Sequence, residues 1–428
     1  MKEPYMTDRE IVHCSFCGSP STEVKKLIAG NDVYICDTCI EKCVDVLNET
    51  KSGKSLSSDK KTTPLESTKA SSPREIKDFL DQYVIGQDFA KEVISVGVYN
   101  HIKRIDNPVI DGVEIEKSNI LLCGPTGVGK TLLAQTVARM LDVPFAMADA
   151  TSLTEAGYVG EDVESILGRL LAAADNDVRK AETGIIFLDE IDKKRAGGGA
   201  TNNRDVSGEG VQQALLKLLE GSEIMVAPAG MKKISSTEMV KINTKNILFI
   251  VGGAFVGLEK LVEKSKHKTG IGFSSVVGES GIQNLLSMVE PEHLMQFGLI
   301  PELIGRLPIV APLSDLDEHQ LVQVLTEPKN ALIKQMTALF RIEGIKLEFE
   351  EDALLAIAKI AKERKTNGRA LRSVLETRLM KTQFNLPDLR KDGVKKIVVS
   401  ASSINDGIAP VCYKGDEPIS MGEAALQI

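Results

Sequence analysis

A glycine-rich segment between an apolar run and a helical pattern most constrains the fold of this 428-residue chain. The apolar run, residues 120–123, predicts a buried strand, and residues 132–140 predict a helix. The segment between them is a complete phosphate-binding loop and reads Gly124, Pro125, Thr126, Gly127, Val128, Gly129, Lys130 and Thr131. Such a loop binds phosphate through backbone N–H groups and the following helix N-terminus. We therefore predict a nucleoside-triphosphate (ATP) site, in which Lys130 reaches the β and γ phosphates and the Thr131 hydroxyl binds Mg²⁺.

Two adjacent acidic residues follow a second apolar run, residues 185–188. In an open α/β sheet, ligands bind at the carboxyl ends of the strands, which is where Asp189 and Glu190 fall. Asp189 is predicted to hold Mg²⁺, and Glu190 is predicted to orient the water that attacks the γ-phosphate. Acidic pairs at strand ends are commonly solvated surface, but the phosphate loop upstream favours the catalytic interpretation.

Apolar strand-like runs alternate with helical segments from residue 120 onward. The runs are residues 120–123, 144–148, 185–188, 246–251 and 307–310. This alternation predicts an α/β domain with a mostly parallel sheet and helices on both faces. Beyond Pro312 the pattern changes to predicted helices at 317–340, 351–362 and 369–386, with one strand at 396–399.

Four of the seven cysteines form two C-x₂-C pairs separated by eighteen residues. They are Cys14, Cys17, Cys36 and Cys39. This spacing is typical of a structural Zn²⁺ site, and a module of about fifty residues needs such a metal for its stability. Two disulfides are the alternative, which a reducing compartment disfavours. Cys43 lies outside the pattern but is a competing ligand, whereas Cys123 and Cys412 are predicted to be structural.

These patterns divide the chain into five predicted segments. They are a zinc-binding domain at 1–50, a flexible linker at 51–72, a large ATPase domain at 73–313, a small, mostly helical domain at 314–412 and a disordered tail at 413–428. The net charge of −8 and the absence of Trp argue against nucleic acid as a partner. Residues 1–50 resemble no signal or transit peptide, and no apolar run has transmembrane length, so we expect a cytoplasmic location without membrane contact.

Four further motifs lie at residues 157–160 (GYVG), 204–213 (RDVSGEGVQQ), 271–273 (IGF) and 301–308 (PELIGRLP). Together with the N-terminal zinc module, they resemble the ClpX family of AAA+ unfoldases, and the resemblance covers nearly the whole chain. The resemblance implies a homo-hexamer that hydrolyses ATP, unfolds tagged or adaptor-delivered proteins through an axial pore and feeds them to the ClpP peptidase. It also implies chaperone activity without that peptidase.

The resemblance assigns roles to individual residues. Arg306 matches the arginine finger, for which an ordinary surface salt bridge is the alternative, and Arg369 matches the second-sensor arginine. Tyr158 and Val159 match the pore loop that grips substrate, with a buried turn tyrosine as the alternative. The residues of the peptidase-docking loop are Ile271, Gly272 and Phe273. Val84 and Ile85 are predicted to line the adenine pocket or, alternatively, to belong to the core.

The chain departs from the family pattern in several places. Residues 229–234 carry no Arg-Lys-His loop, so preference for particular degradation tags stays open. The second pore loop is also unusual, because glycines at residues 197–199 and asparagines at residues 202–203 precede Arg204. Gly368 and Ala370 exchange the two small residues expected around Arg369. Gly252 and Gly253 offer no polar side chain at the first-sensor position.

Three other functional classes compete with a peptidase-linked unfoldase. A stand-alone remodelling chaperone is disfavoured by the docking motif. A nucleic-acid motor or clamp loader is disfavoured by the acidic balance and by Tyr158. An HslU-type unfoldase is excluded, because the interval from Lys130 to Asp189 leaves no room for its inserted domain and because that family lacks the zinc module. The chain shows no protease motif of its own.

Overall fold

The computed structural model describes residues 12–21, 24–30, 33–40, 72–154, 161–196, 208–227, 239–269, 286, 288–364, 366–415 and 417–419. The chain forms two compact units, residues 1–64 and 65–428. In the first unit, strands Leu27–Ala29 and Tyr34–Cys36 form an antiparallel pair in which Leu27 lies opposite Cys36. This pair brings the second cysteine pair towards the turn that carries Cys14 and Cys17.

A five-stranded parallel sheet forms the centre of the second unit. Its spatial order is Ile309–Pro312, Ile120–Cys123, Leu248–Gly253, Ile185–Asp189 and Phe145–Asp149. The predicted parallel α/β sheet is thus confirmed, with strand bounds shifted by one or two residues. Numbered along the chain, the strands in this order are the fifth, first, fourth, third and second. Strand Ile120–Cys123, which precedes the phosphate loop, is therefore not a neighbour of the next strand in sequence, Phe145–Asp149.

Alternate residues of each strand pack into different hydrophobic clusters on the two faces of the sheet. Leu121 and Leu188 belong to one cluster, whereas Leu122 and Phe187 belong to the other. Both faces are therefore covered, which explains why these strands are almost continuously apolar. The acidic residues and the phosphate loop lie directly at the carboxyl ends of these buried strands.

The first helix of the α/β part begins at residues that favour a helix start. Helix Pro73–Asp81 begins with proline after Ser72, whose hydroxyl accepts a hydrogen bond from the Glu75 N–H. The other helices that the structure describes in this part are Asp88–Asp106, Lys130–Leu141, Ser165–Ala173, Val178–Ala181, Glu209–Glu220, Leu258–Thr269, Pro291–Phe297 and Pro301–Gly305. Short 3₁₀ segments lie at Ala150–Ser152, Ile191–Lys194 and Thr244–Asn246.

The described residues of this part also form three two-stranded pairs. They are Val109–Ile110 with Val113–Glu114, Leu153–Thr154 with Glu161–Asp162, and Glu223–Val226 with Val240–Asn243.

The C-terminal part has its own hydrophobic cluster, which runs from Leu316 to Cys412. Its helices are Glu318–Thr326, Leu332–Ile342, Glu351–Glu363, Gly368–Phe384, Leu386–Lys391 and Ala401–Asn405. The single helix predicted over 317–340 is wrong, because the chain breaks around Pro328, which cannot continue a helix. The helix predicted over 369–386 likewise divides at Asn385, shortly before Pro387.

A four-stranded sheet accompanies these helices, although only one strand was predicted. Its order is Lys346–Phe349, Lys396–Val399, Val411–Lys414 and Glu417–Ile419. The first pair is parallel and the other two are antiparallel. The start of the predicted disordered tail is therefore ordered: Tyr413 and Lys414 belong to one strand, with Tyr413 paired to Lys396, and Glu417–Ile419 forms another. Residues 420–428 lie outside the described part of the chain.

Among the residues that the structure describes, none of the helices combines the length and the apolar character that crossing a bilayer requires.

Candidate nucleotide site and zinc centre

The phosphate loop folds as a tight turn between strand Ile120–Cys123 and helix Lys130–Leu141. Gly127 and Gly129 adopt φ values of 83° and 105°, in the left-handed region that glycine occupies without steric penalty. The Gly124 N–H donates to the Gly253 carbonyl at 3.2 Å, which attaches the loop to the neighbouring strand. This conformation directs the loop around the N-terminus of the helix, as phosphate binding requires.

Lys130 is buried at the start of this helix. Its ammonium group donates to the carbonyl oxygens of Gly124 (2.7 Å) and Pro125 (2.8 Å). Burial lowers the pKa of Lys130, while the carboxylates of Asp189 and Asp192 act in the opposite direction. A desolvated ammonium group is well suited to a phosphate ligand, because the negative charge of the phosphate replaces the stabilisation that water gives to an exposed lysine.

Asp189 and Glu190 lie at the carboxyl end of strand Ile185–Asp189, as predicted. The Thr131 hydroxyl lies 3.4 Å from an oxygen of the Asp189 carboxylate, and the other oxygen accepts a hydrogen bond from the Glu190 N–H at 2.9 Å. Glu190 has φ 59°, which ends the strand sharply. A hydroxyl and a carboxylate at this separation are a donor set that fits Mg²⁺, which prefers oxygen ligands.

Asp192 is a third acidic residue near Lys130 that the sequence reasoning missed. It is buried in the 3₁₀ segment after the strand, and its carboxylate accepts a hydrogen bond from the Ala254 N–H at 3.1 Å. The glycines at the first-sensor position have a packing reason. A Cβ on Gly253 would lie 2.5 Å from the Phe255 ring and 2.9 Å from the Asp192 carboxylate, so no side chain fits.

The C-terminal part of the chain contacts the phosphate loop directly. The Gly368 N–H donates to the Gly127 carbonyl at 3.1 Å. A Cβ on Gly127 would lie 2.2 Å from the Thr366 carbonyl oxygen, so the close approach of the two segments requires glycine there. Arg369 follows at the start of helix Gly368–Phe384, and its positive charge contributes to the lowered pKa of Lys130. The structure thus brings Arg369 to the phosphate loop.

Val84 also lies beside the loop. It is buried, and its Cγ1 atom would be 3.7 Å from a Cβ on Gly129. Val84 belongs to the hydrophobic cluster that contains Val128 and Leu133, so the core interpretation describes its position, and its role in an adenine pocket stays a prediction. Ile85, which follows it, is half-buried.

The next polar residue in this segment, Gln87, has a connecting role that the sequence did not reveal. Its side-chain amide donates to the Ser314 carbonyl at 2.7 Å and accepts from the Ser314 N–H at 2.9 Å. Ser314 lies in the segment that joins strand Ile309–Pro312 to helix Glu318–Thr326. The loop before helix Asp88–Asp106 is therefore attached to the connection into the C-terminal part.

Arg306 is half-exposed and pairs with Glu220 of the same chain. Its Nη2 and Nε atoms lie 2.9 and 3.1 Å from one Glu220 carboxylate oxygen. Within the described residues, no ion pair joins Arg306 to the phosphate loop. The surface salt bridge considered as the alternative is thus present, and a role towards a neighbouring subunit stays a prediction.

Five predicted site residues lie outside the described residues. They are Tyr158 and Val159 of the pore loop and Ile271, Gly272 and Phe273 of the docking loop. The same holds for Cys43, for Gly197–Gly199 and for residues 229–234. Their assignments rest on the sequence alone.

The four cysteines of the first unit form a compact cluster. Their sulfur atoms all lie within 4.8 Å of one another, with 3.9 Å between Cys14 and Cys39 and 3.7 Å between Cys17 and Cys36. A tetrahedral Zn²⁺ with four thiolate ligands separates its sulfurs by about 3.8 Å. The cluster therefore fits zinc, and the cysteines are not paired as disulfides.

The electrostatics of the cluster also favour a cation. The Cys36 N–H points at the Cys14 sulfur at 3.3 Å, a contact that stabilises a thiolate. The adjacent Cys36 sulfur raises the pKa of Cys39 to about 12, since several thiolates in one place repel one another. A divalent cation relieves this repulsion and favours deprotonation of all four thiols.

Comparison with known protein families agrees with both sites. Residues 12–49 match the ClpX C4-type zinc finger family, and residues 115–310 match the AAA domain (Cdc48 subfamily) family. The two matches together point to ClpX. The chain is accordingly an AAA+ ATPase of the ClpX type that binds ATP and carries an N-terminal zinc site made of four cysteines. The first match covers all four cysteines, and the second covers both the phosphate loop and the Asp189–Glu190 pair.

Proposed function

We propose that this ClpX-type ATPase is an ATP-dependent unfoldase and translocase that assembles as a homo-hexamer and delivers polypeptides to the ClpP peptidase. The observation that carries the proposal is the direct contact between the phosphate loop and the C-terminal part. Because Gly127 accepts a hydrogen bond from Gly368, a change of ligand at the loop acts directly on the start of helix Gly368–Phe384. Such a connection is what conversion of hydrolysis into movement of one domain against another requires.

Each site residue has a distinct role in the proposed hydrolysis. Thr131 and Asp189 would hold Mg²⁺, which would neutralise charge on the β and γ phosphates when bound. Glu190 accepts a proton from the attacking water and orients it. Lys130 and Arg369 stabilise the negative charge that develops on the phosphates, Arg369 from the C-terminal part and Lys130 from the loop. Val84 and Ile85 contribute to the adenine pocket.

Arg306 acts in this proposal towards the nucleotide of a neighbouring subunit. Its side chain is half-exposed and is held by a single surface ion pair with Glu220, so release from that pair requires little energy. A guanidinium group supplied from another subunit would join hydrolysis to assembly. This role and the homo-hexamer are proposed together, because one requires the other.

The work done on substrate is assigned to the two loops known from sequence. Tyr158 and Val159 supply an aromatic and an aliphatic side chain between two glycines in the sequence, which suits contact with polypeptides of any sequence. The Ile271-Gly272-Phe273 tripeptide supplies apolar side chains that suit a pocket on the peptidase. Substrate delivery by adaptors is assigned to the zinc-binding domain. We further propose that the chain itself has no peptidase activity and acts in the cytoplasm.

Degradation of a stable, tagged fluorescent protein tests the whole proposal. With ATP and ClpP, we expect loss of both fluorescence and intact protein; with ATP alone, we expect loss of fluorescence only. Glu190→Gln should bind ATP and abolish both effects. Deletion of residues 271–273 should abolish degradation and leave ATP-dependent unfolding intact.

The alternatives give different results in the same assay. A stand-alone remodelling chaperone would unfold the substrate, and ClpP would have no effect on the product. A nucleic-acid motor would leave the protein substrate unchanged, and DNA or RNA would stimulate its ATP hydrolysis. Tyr158→Ala distinguishes substrate binding by the pore loop from ATP hydrolysis, because we expect it to reduce unfolding of the substrate far more than basal ATP hydrolysis.

A further inference from the structure

Asn367 occupies a backbone conformation that favours glycine, directly before the helix that carries Arg369. Its φ and ψ angles are 45° and −130°. Glycine adopts this region easily, whereas a side chain there is strained. Asn367 is only 7% exposed, so its polar side chain is held inside the protein. A strained, buried asparagine in this position indicates that its side chain makes interactions that glycine could not make.

The side-chain amide of Asn367 joins two other segments of the chain. The Nδ2 atom donates to the Thr126 carbonyl at 3.1 Å and to a carboxylate oxygen of Asp315 at 3.0 Å. Both amide hydrogens are thus in use. Thr126 belongs to the phosphate loop, and Asp315 belongs to the segment between strand Ile309–Pro312 and helix Glu318–Thr326. One side chain therefore connects the phosphate loop, the connecting segment and the start of the Arg369 helix.

A phosphate loop must direct its N–H groups towards the ligand, so its carbonyl oxygens must point away and find other donors. Two consecutive carbonyls of this loop find them on the same neighbouring segment. The Thr126 carbonyl accepts from the Asn367 side chain, and the Gly127 carbonyl accepts from the Gly368 N–H. These two bonds hold the Thr126 and Gly127 peptide groups in the orientation that phosphate binding uses.

We propose that Asn367 is a positioning residue of the ATPase site, which orients the phosphate loop through the Thr126 carbonyl. It also fixes where the helix that carries Arg369 begins relative to that loop. The proposal rests on the nucleotide-binding role of the loop proposed above. Loss of the amide should weaken ATP binding, because the peptide groups of Thr126 and Gly127 gain freedom that binding must then remove.

Substitution of Asn367 by glycine distinguishes a role in positioning the phosphate loop from a role in stabilising the fold. Asn367→Gly removes the amide and relieves the backbone strain, so the unfolding temperature of the full chain should change little. The KM for ATP should rise about three- to ten-fold, the range that one or two lost hydrogen bonds predict. A residue that served stability alone would give the opposite result: a lower unfolding temperature with an unchanged KM.

The matched control is Asn176→Gly. Asn176 also has a positive φ, 63°, but it lies exposed in the turn after helix Ser165–Ala173. This substitution relieves strain of a similar kind without touching the site, so both KM and kcat should equal those of the unaltered chain.

Two further variants identify which bond of the amide matters. Asn367→Asp has the same shape but donates to neither partner, so it should raise the KM for ATP more than Asn367→Gly does. Adding Asp315→Asn lets the new amide at 315 donate to the carboxylate at 367, which restores that pair and leaves the Thr126 carbonyl without a donor. The KM should remain high in the double variant; recovery would overturn positioning through Thr126.

Phosphate release over a range of ATP concentrations and calorimetric binding of ADP measure these effects in the full chain. If the unaltered chain neither binds ADP nor hydrolyses ATP, the proposed function fails. If it does both, and Asn367→Gly keeps the parental KM and ADP affinity, the positioning role of Asn367 alone is wrong.

Discussion

The Thr131 hydroxyl and the Asp189 carboxylate lie 3.4 Å apart at the carboxyl edge of the sheet, although 58 residues separate them in sequence. Under the proposed function, these two groups would supply Mg²⁺ with oxygen ligands from different elements. Thr131→Val keeps the shape of the side chain and removes the hydroxyl. We expect the Mg²⁺ concentration for half-maximal hydrolysis to rise about ten-fold or more, by analogy with the loss of other groups that support a metal site.

Thr136→Val is the control for that substitution. Thr136 lies on the same helix, and its hydroxyl donates to the Leu132 carbonyl at 2.6 Å, away from the acidic residues. Titration of ATPase activity with Mg²⁺ should give the parental curve for this variant. An equal shift in both variants would attribute the effect to the helix rather than to the metal site.

Gln87 and Ser314 provide a test of how the two parts of the second unit are joined. Gln87→Ala leaves the Ser314 N–H and carbonyl without their two partners, so we expect a loss of about 1–3 kcal/mol in the free energy of unfolding. Far-UV circular dichroism in urea measures it, which suits a chain without Trp. The exposed Gln213, which pairs with Glu209, supplies the control: Gln213→Ala should change stability by less than about 0.5 kcal/mol.

Arg306 and Glu220 distinguish a surface salt bridge from an arginine finger. The pair is half-exposed, so its loss should lower stability by about 1 kcal/mol or less. Arg306→Ala should nevertheless reduce ATP hydrolysis by about 10³-fold or more if the guanidinium reaches a neighbouring nucleotide. Glu220→Ala removes the same salt bridge and should retain hydrolysis. Similar losses in both variants would mean that Arg306 acts only through Glu220.

His101 makes the stability of the second unit depend on pH. It is buried, its Nδ1 atom has no hydrogen-bond partner among the described residues, and burial lowers its pKa from 6.5 to about 3, with help from the charges of Arg104 and Lys117. Below pH 6.5 the unfolded chain binds a proton that the folded chain does not. Stability is therefore lost as the pH falls from 6.5 towards 3.

We expect His101→Gln to reduce this loss, because glutamine does not titrate. The measurement is the free energy of unfolding at pH 7 and pH 5. Variant and parent are compared because the carboxylates contribute equally to the pH dependence of both. His319→Gln, at an exposed position, should follow the parental pH dependence. A His101→Gln variant with the parental slope between pH 7 and pH 5 would contradict the assignment.

Removal of zinc should affect the first unit selectively. Chelation is expected to unfold residues 1–50 and to make four additional thiols reactive, while the thermal unfolding of the ATPase unit stays unchanged. Cys17→Ser should lower the zinc content, measured by a colorimetric chelator after denaturation. Cys412→Ser, at a buried position of strand Val411–Lys414 in the other unit, should retain one zinc per chain.

Short segments of sequence were enough to predict the local features of both sites. The strand–loop–helix around Lys130, the acidic end of strand Ile185–Asp189 and the two C-x₂-C pairs all depend on residues within a few positions of one another. Apolar runs likewise predicted all five strands of the central sheet, because a strand buried on both faces is apolar throughout. These features can be predicted from the sequence because they depend on the spacing of residues that are close together in the chain.

The tertiary structure alone decided which distant groups complete the nucleotide site. Asn367 meets Thr126 across 241 residues, and Gln87 meets Ser314 across 227. Nothing in the spacing of an asparagine or a glutamine reveals which carbonyl its amide will bind, because that choice depends on how separate elements pack. Strands Val411–Lys414 and Glu417–Ile419 escaped prediction for the same reason: they are short, and the first of them pairs with the distant strand Lys396–Val399.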